Sequence, residues 1–400
     1  MKDELIPFKV KILEFKISKK LEMLPPYLFA EIEEIIKKKQ RAGADLISLS
    51  IGDPDIPPPE FILESLKEEV GKPENHGYSF SKGEYEFRLA VSNWYKKRFN
   101  VYVDTEEEVI ALIGSKEGLC NIARAFINDG DRVLVPDPAY PAYAYGGAVL
   151  SGGVPVPVPL LEENNFLPDL EKVDAKGVKM LYLNYPNNPT SAVVTIKELE
   201  EFVDFALDNK IILCYDNAYS ELTFGDYRAP SIMQIEKARE IAIEIHSCSK
   251  TFSMTGDRIA FAVGNKQLIN GLLKVKSQVD SGPPKYVQKV ASKALRTYTG
   301  TEPPTYIKER NKIYERRAEL LVEELNAMGF KCRMPKATFY VWTKCGISSM
   351  QFVKLMLNVN VVATPGVGFG EYGEGYIRFA VTCPEEKIKE ACERLKTIIR

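Results

Sequence analysis

The sequence predicts an α/β protein. A mostly parallel sheet covered by helices on both faces forms a large domain, and a smaller α+β domain follows it. Three observations carry this reading. Short apolar runs at 109–113, 132–135, 179–183, 211–215 and 241–245 alternate with helical patterns, the rhythm of a parallel sheet. The runs end in turns rich in Gly, Pro, Asn or Asp. Beyond Gly300 that rhythm gives way to one long charged helix at 304–328 and two runs, 338–342 and 375–380, that read as antiparallel strands before a closing helix at 384–399.

Four hundred residues exceed what one hydrophobic core usually serves. The expected division is an N-terminal arm and helix over residues 1–50 that contributes to the small domain, a large domain over 51–300 and a small domain over 301–400. Hydrophobic content of 45% and charged content of 27% are ordinary for a soluble globular protein. A formal net charge of -2 without a long basic run argues against nucleic acid as the partner. The first twenty residues alternate lysines with apolar residues, so they form neither a signal peptide nor a membrane span and read as an arm. Seven scattered cysteines lack a C-x-x-C pair and fit a reducing cytosol better than a zinc site or disulfides. Only His76 and His246 occur, the first in a loop and the second at a strand end. No metal site is expected, and general acid–base work falls to Lys, Tyr or a carboxylate.

Along the chain, Leu24-Pro25-Pro26-Tyr27 leads into a helix over 28–41, then a short strand at 46–51 that stops at Gly52-Asp53-Pro54-Asp55. Helices over 60–70 and 84–98 flank a loop that exposes Tyr78. Gly114-Ser115-Lys116 opens the next helix and offers free backbone N–H groups to an anion. Tyr140, Asn188, Asp216, Tyr219, Ser247 and Lys250 all fall just after strands. In an open α/β sheet that edge is where ligands bind.

The loop from Ser247 to Arg258 organises the rest. Its hydroxyls and guanidinium suit a phosphate, and Lys250 would condense with an aldehyde on the same ligand to form a Schiff base. Asp216 beside an aromatic nitrogen would keep that nitrogen protonated, while Asn188 and Tyr219 would donate to a phenolate oxygen. Tyr140 offers a face for stacking; Ser115, Ser247, Ser249 and Arg258 complete a phosphate cup; Arg378 is placed to grip a carboxylate. Together these describe pyridoxal 5'-phosphate and an amino acid.

The motifs Gly52-Asp53-Pro54, Tyr78 with Gly83 and Arg88, Asn187-Asn188-Pro189-Thr190, Asp216-x-x-Tyr219, Ser247-x-Ser249-Lys250 with Gly256 and Arg258, and Arg378 resemble those of class I aminotransferases. These are pyridoxal-phosphate enzymes of fold type I, and the resemblance runs from about residue 24 to the C-terminus. It implies a seven-stranded sheet in the large domain and catalytic roles for Lys250, Asp216 and Tyr219. It implies cofactor contacts from Ser115, Lys116, Tyr140, Asn188, Ser247, Ser249 and Arg258. Tyr27, Gly52, Asn188 and Arg378 would bind substrate. It further implies a cytoplasmic homodimer in which Tyr78 reaches the neighbouring subunit's phosphate. Leu24-Pro25-Pro26-Tyr27, Tyr78-Ser79-Phe80-Ser81-Lys82-Gly83, Gly114-Ser115-Lys116-Glu117-Gly118 and Thr364-Pro365-Gly366-Val367-Gly368-Phe369-Gly370 are similar to the LL-diaminopimelate branch, which serves lysine synthesis with 2-oxoglutarate as the second substrate.

Two residues depart from the common pattern: Asp257 where many relatives carry Trp, and Asn217 where many carry Glu. Lys82 and Lys116 are candidates for a distal carboxylate, and Glu84 or Asp53 for a distal ammonium. The alternatives are an aspartate, alanine or aromatic aminotransferase, a C–S lyase or decarboxylase on the same fold, or a non-enzymatic sensor.

Overall fold

The computed structural model describes residues 15–24 and 30–399. The expected Tyr27 contact and the first fourteen residues of the arm lie outside the described residues. Twelve strands are present among them: β1 (Ile47–Ser48), β2 (Val109–Leu112), β3 (Arg132–Asp137), β4 (Val154–Pro159), β5 (Val178–Asn184), β6 (Ile212–Asp216), β7 (Ala242–Ser247), β8 (Ala260–Gly264), β9 (Tyr340–Lys344), β10 (Val361–Val362), β11 (Thr364–Pro365) and β12 (Tyr376–Ala380).

Seven of them form one sheet in the order β2-β8-β7-β6-β5-β3-β4. From β4 through β7 every pairing is parallel. β7 and β8 are buried at every residue, which is why they read as unbroken apolar runs rather than alternating ones. Neighbouring side chains on β2 point to opposite faces: Ala111 joins the core on one side, Ile110 and Leu112 the core on the other. The helix Tyr85–Phe99 covers the first face with Trp94 and Tyr95, and the helix Ser115–Phe126 covers the second with Leu119, Ile122 and Ala123.

Two features depart from the sequence reading. β8 runs antiparallel to both β7 and β2, because the loop joining β7 to β8 holds only a one-turn helix, Cys248–Thr251, and no crossover helix. β4 escaped notice because Pro155, Pro157 and Pro159 interrupt it. It lies at the edge of the sheet and pairs only with β3, where proline is tolerated.

A second core gathers around the antiparallel sheet β11-β12-β9, the parallel pair β1-β10 and the helices Thr305–Ala327, Ser349–Asn358 and Glu385–Lys396. Ile35 and Ile36 of the helix Ala30–Arg41 pack against it. At the described end of the arm, the short helix Lys19–Glu22 is tied down by an ion pair from Lys20 to Asp129 at 2.9 Å. Among the described residues no helix is long and apolar enough to cross a membrane.

Polar links join the sheet rim to the second core. Asp137, the last residue of β3, accepts 3.0 Å hydrogen bonds from the backbone N–H groups of Glu371 and Tyr372. Arg310, on the long helix, donates to the carbonyls of Lys250 at 2.8 Å and Thr251 at 2.7 Å. Arg98 and Glu221 form a buried ion pair at 3.0 Å, and the Tyr298 hydroxyl donates to the same carboxylate at 2.7 Å. Arg98→Met would leave the Glu221 charge buried without its cation. We expect a loss of about 3–5 kcal/mol in denaturant unfolding.

Candidate active site

Gly52, Ser115, Lys116, Tyr140, Asn188, Asp216, Tyr219, Ser247, Lys250 and Arg378 line one cleft of about 1410 Å³ at the carboxyl edge of the sheet. Parallel strands end together, so their following loops converge. Asp216 and Ser247 are the last residues of β6 and β7, and Lys250 sits one helical turn beyond Ser247. The Ser247 hydroxyl accepts from the Ser249 backbone N–H at 3.3 Å and so caps the turn that carries Lys250.

The Lys250 amine donates to the Gly52 carbonyl at 2.7 Å. Burial pushes its pKa down to about 8; Asp53 opposes the shift, while Arg378 and Arg258 add to it. Gly52 has no substitute here, since a Cβ on it would stand 1.9 Å from the Tyr340 hydroxyl. Asp216 is 5% exposed and accepts from the Tyr143 hydroxyl at 2.8 Å and the Ala218 N–H at 3.2 Å. Burial lifts its pKa to about 6, against those two hydrogen bonds and the charge of His246.

Tyr219 and Tyr340 share a hydrogen bond at 2.9 Å, and burial, then Tyr340, raises the Tyr219 hydroxyl well above its usual pKa. It therefore stays a neutral donor. Asn188 is held by its backbone N–H on the Asn184 amide oxygen at 2.8 Å, and its own Oδ1 accepts from Arg378 Nη1 at 2.7 Å. Arg378 lies between the rings of Tyr340 and Phe369, 4.2 and 4.7 Å from their centroids, and donates to the Ser50 carbonyl at 2.7 Å. Its Nε is buried and has no partner, a donor left over for a ligand carboxylate.

Arg258 does not line the cleft but lies against Gly114, the residue before Ser115 of the lining. Its Nη1 donates to the Thr255 carbonyl at 2.8 Å, and a Cβ on Gly114, at φ +97°, would stand 2.2 Å from Nη2. Lys116 lies 5.4 Å from the centre of the Tyr140 ring. Ser249 is buried outside the cleft lining, and Tyr78 is 90% exposed and also outside it. Lys82 turns to the Glu106 carbonyl, and neither it nor Glu84 lines the cleft, so on this chain Lys116 alone of the two lysines faces the ligand space.

Two residues at the site went unremarked in the sequence. Tyr143, which fixes Asp216, stands three residues after Tyr140 on a π-helical segment, Tyr143–Val149, and a second aromatic so close to a strand end was the available signal. Tyr340, which holds Tyr219 and Arg378, lay hidden in a strand of consecutive aromatics. The departure at Asn217 has a physical reason: its Nδ2 donates to the buried Glu244 carboxylate at 3.1 Å, where an acid would set two carboxylates against each other.

Residues 44–395 match the family model described as "Aminotransferase class I and II". The chain belongs to the class I and II aminotransferases. It is 47% identical to a protein named LL-diaminopimelate aminotransferase from Aquifex aeolicus, over 96% of this chain and 99% of that one. It is 44% identical to a protein of the same name from Desulforudis audaxviator, over 96% and 98%. Among solved structures, an aromatic aminotransferase from Pyrococcus horikoshii aligns with a TM-score of 0.83 at 33% identity, covering 91% of this chain and 98% of that one. A single mutant of the Thermus thermophilus aspartate aminotransferase aligns with a TM-score of 0.89 at 27% identity, covering 96% and 100%.

Class I aminotransferases use pyridoxal 5'-phosphate, and the aminotransferase cleft fits it. Lys250 supplies a buried amine. Among the described residues the Asp216 carboxylate touches a phenol and an amide but no cation, so it can pair with a protonated ring nitrogen. Gly114, lacking a Cβ, lets the Arg258 guanidinium lie against the start of the helix that carries Ser115 and Lys116, where an anion would be held.

Two outcomes follow for the apoprotein. Lys250 should react with amine-acylating reagents with a midpoint near pH 8, the pH above which its neutral form dominates, read by peptide mass spectrometry; a midpoint near the ordinary value of about 10.4 would contradict its burial. Gly114→Ala should displace Arg258 and weaken cofactor binding roughly tenfold or more, read by equilibrium titration.

Proposed function

We propose that this aminotransferase moves the amino group of LL-diaminopimelate to 2-oxoglutarate in a ping-pong cycle serving lysine synthesis. One observation carries the chemistry: the Lys250 amine, the Asp216 carboxylate and the Arg378 guanidinium front a single cleft. The choice of substrate draws support from eight curated relatives, 43–47% identical over 94–96% of this chain, that bear the diaminopimelate name.

When bound, the cofactor supplies an electron-withdrawing ring that stabilises negative charge at the substrate Cα. The protein does the rest. Asp216, held by Tyr143, keeps a proton on the ring nitrogen. Asn188 and Tyr219 donate to the phenolic oxygen, and Tyr140 stacks on the ring. The Ser115 and Lys116 end of its helix, with Ser247, Ser249 and Arg258, holds the phosphate. Arg378 takes the substrate α-carboxylate through Nε, already flattened between Tyr340 and Phe369. Gly52 borders the substrate; the contact expected from Tyr27 lies outside the described residues. Lys250, with a pKa of about 8, would take the proton from the substrate Cα and hand it on from its own Nζ, so one group would serve as both base and acid.

In this reading residues 51–300 form the cofactor-binding domain, residues 301–400 the small domain, and residues 1–50 an arm and helix that join the latter. The enzyme works as a cytoplasmic homodimer, with Tyr78 of one protomer reaching the phosphate held by its partner. The exposure of Tyr78 on the single chain supports that role.

Lys250→Ala should lower turnover roughly a thousandfold or more and remove the visible absorbance of the holoenzyme. Half-reaction spectra with LL-diaminopimelate, aspartate, alanine and phenylalanine should show the first reacting about 100-fold more efficiently than the others. A larger kcat/KM for aspartate, alanine or phenylalanine would reassign the substrate and leave the chemistry intact.

A further inference from the structure

The machinery described so far uses neither of the chain's two histidines. His76 is exposed, with its ring nitrogen on the Val70 carbonyl. His246 is 2% exposed, and Glu244, two residues earlier on β7, is fully buried. Neither lines the cleft.

The Glu244 carboxylate receives the Tyr95 hydroxyl at 3.1 Å, Asn217 Nδ2 at 3.1 Å, the Ser231 hydroxyl at 2.7 Å and the Ile232 N–H at 2.8 Å, together with Nε2 of His246. Burial opposes the charge on Glu244, but the charge of His246 and hydrogen bonds from His246, Ser231 and Asn217 outweigh it and hold the carboxyl below its usual pKa. Among the described residues the only cationic side chain paired with it is His246. The ring is fixed by stacking on Phe261 at 5.2 Å and by the edges of Trp94 and Tyr95. On its other side Nδ1 meets the Ser220 hydroxyl at 3.3 Å.

Two contacts of this pair, those with Asn217 and Ser220, land beside residues of the cleft. Asn217 follows Asp216, Ser220 follows Tyr219, and His246 precedes Ser247, where the turn to Lys250 begins. Asp216 pairs in the sheet with Ile245, next to His246.

We infer that the Glu244–His246 pair is a positioning element that fixes Asp216 and Tyr219 from behind the cleft. The titratable groups that face the ring are Glu244, Tyr95 and Asp216. Of these Glu244 sets the orientation, its carboxylate requiring the proton on Nε2. Tyr95 donates a hydrogen bond to Glu244 and stays neutral. Asp216 is the group positioned, through its sheet pairing with Ile245 and the hydrogen bond from the adjacent Asn217 to Glu244. The inference rests on the proposed pairing of Asp216 with the cofactor's ring nitrogen, but its first test needs no cofactor.

With only two histidines, ¹⁵N-histidine labelling of the apoprotein gives a spectrum assignable with His76→Gln. The expected signal for His246 is a protonated Nε2 whose hydrogen is strongly deshielded and slow to exchange. An unprotonated Nε2 would overturn the inference whatever the enzyme's activity. The second test compares cofactor affinity in two variants. His246→Gln keeps a donor toward Glu244 and should bind cofactor within about threefold of the native protein. His246→Phe removes the donor and should weaken binding about tenfold. A His246→Phe protein that binds cofactor as tightly as the native one would show that the pair only fills the core.

Discussion

The desolvated amine of Lys250 is the constraint on which the rest depends. An exposed lysine is charged at neutral pH and cannot act as a nucleophile or base. Here burial, aided by Arg378 and Arg258, brings its pKa to about 8. Burial alone would cost stability without function. The turn capped by Ser247, the carbonyl of Gly52 and the grip of Arg310 on the Lys250 and Thr251 carbonyls aim the amine at one place on the rim. A stiff backbone under a flexible side chain lets that amine move between bound and free positions while its base stays put.

The opposite sign is managed at the end of the neighbouring strand, β6. Asp216 is the acid that must remain ionised in a dry site, and burial works against it. The Tyr143 hydroxyl and then the Ala218 amide supply most of the compensation, with a smaller share from His246 on β7. The cleft is thus an asymmetric field, with Lys250, Lys116 and Arg378 on its lining, Arg258 outside the lining, and the carboxyls of Asp216 and Asp137 sunken among them. Such a field suits a ligand with a phosphate and a carboxylate at its ends and a protonated nitrogen between them. Aromatic sandwiching of Arg378 by Tyr340 and Phe369 keeps its guanidinium flat and directs the unpaired Nε.

Much of this was legible before any coordinates. The apolar runs marked the central strands because strands buried on both faces are mostly apolar, and the helices expected over 60–70 and 304–328 are found at Glu60–Val70 and Thr305–Ala327. Asp216, Asn188, Lys250 and Arg378 stood out because they are polar residues at the ends of apolar runs or within one. What escaped was of another kind. Strand β4 hid behind alternating prolines that only an edge position tolerates, and the reversal of β8 depended on the shortness of its connection rather than on composition. Tyr143 and Tyr340 act through partners distant in sequence, and a tyrosine in an apolar stretch looks like packing until its hydroxyl is seen on an acid or another phenol. The same holds for Lys82 and Glu84, plausible by charge but turned away from the cleft on this chain.

The central claim is that Lys250 carries pyridoxal phosphate on the rim of the sheet. Borohydride reduction of the purified holoenzyme, followed by proteolysis and mass spectrometry, tests it most directly. A phosphopyridoxyl mass on the peptide containing Lys250, and on no other, is the predicted result. The adduct on a different lysine, or no adduct in protein saturated with the cofactor, would contradict the account.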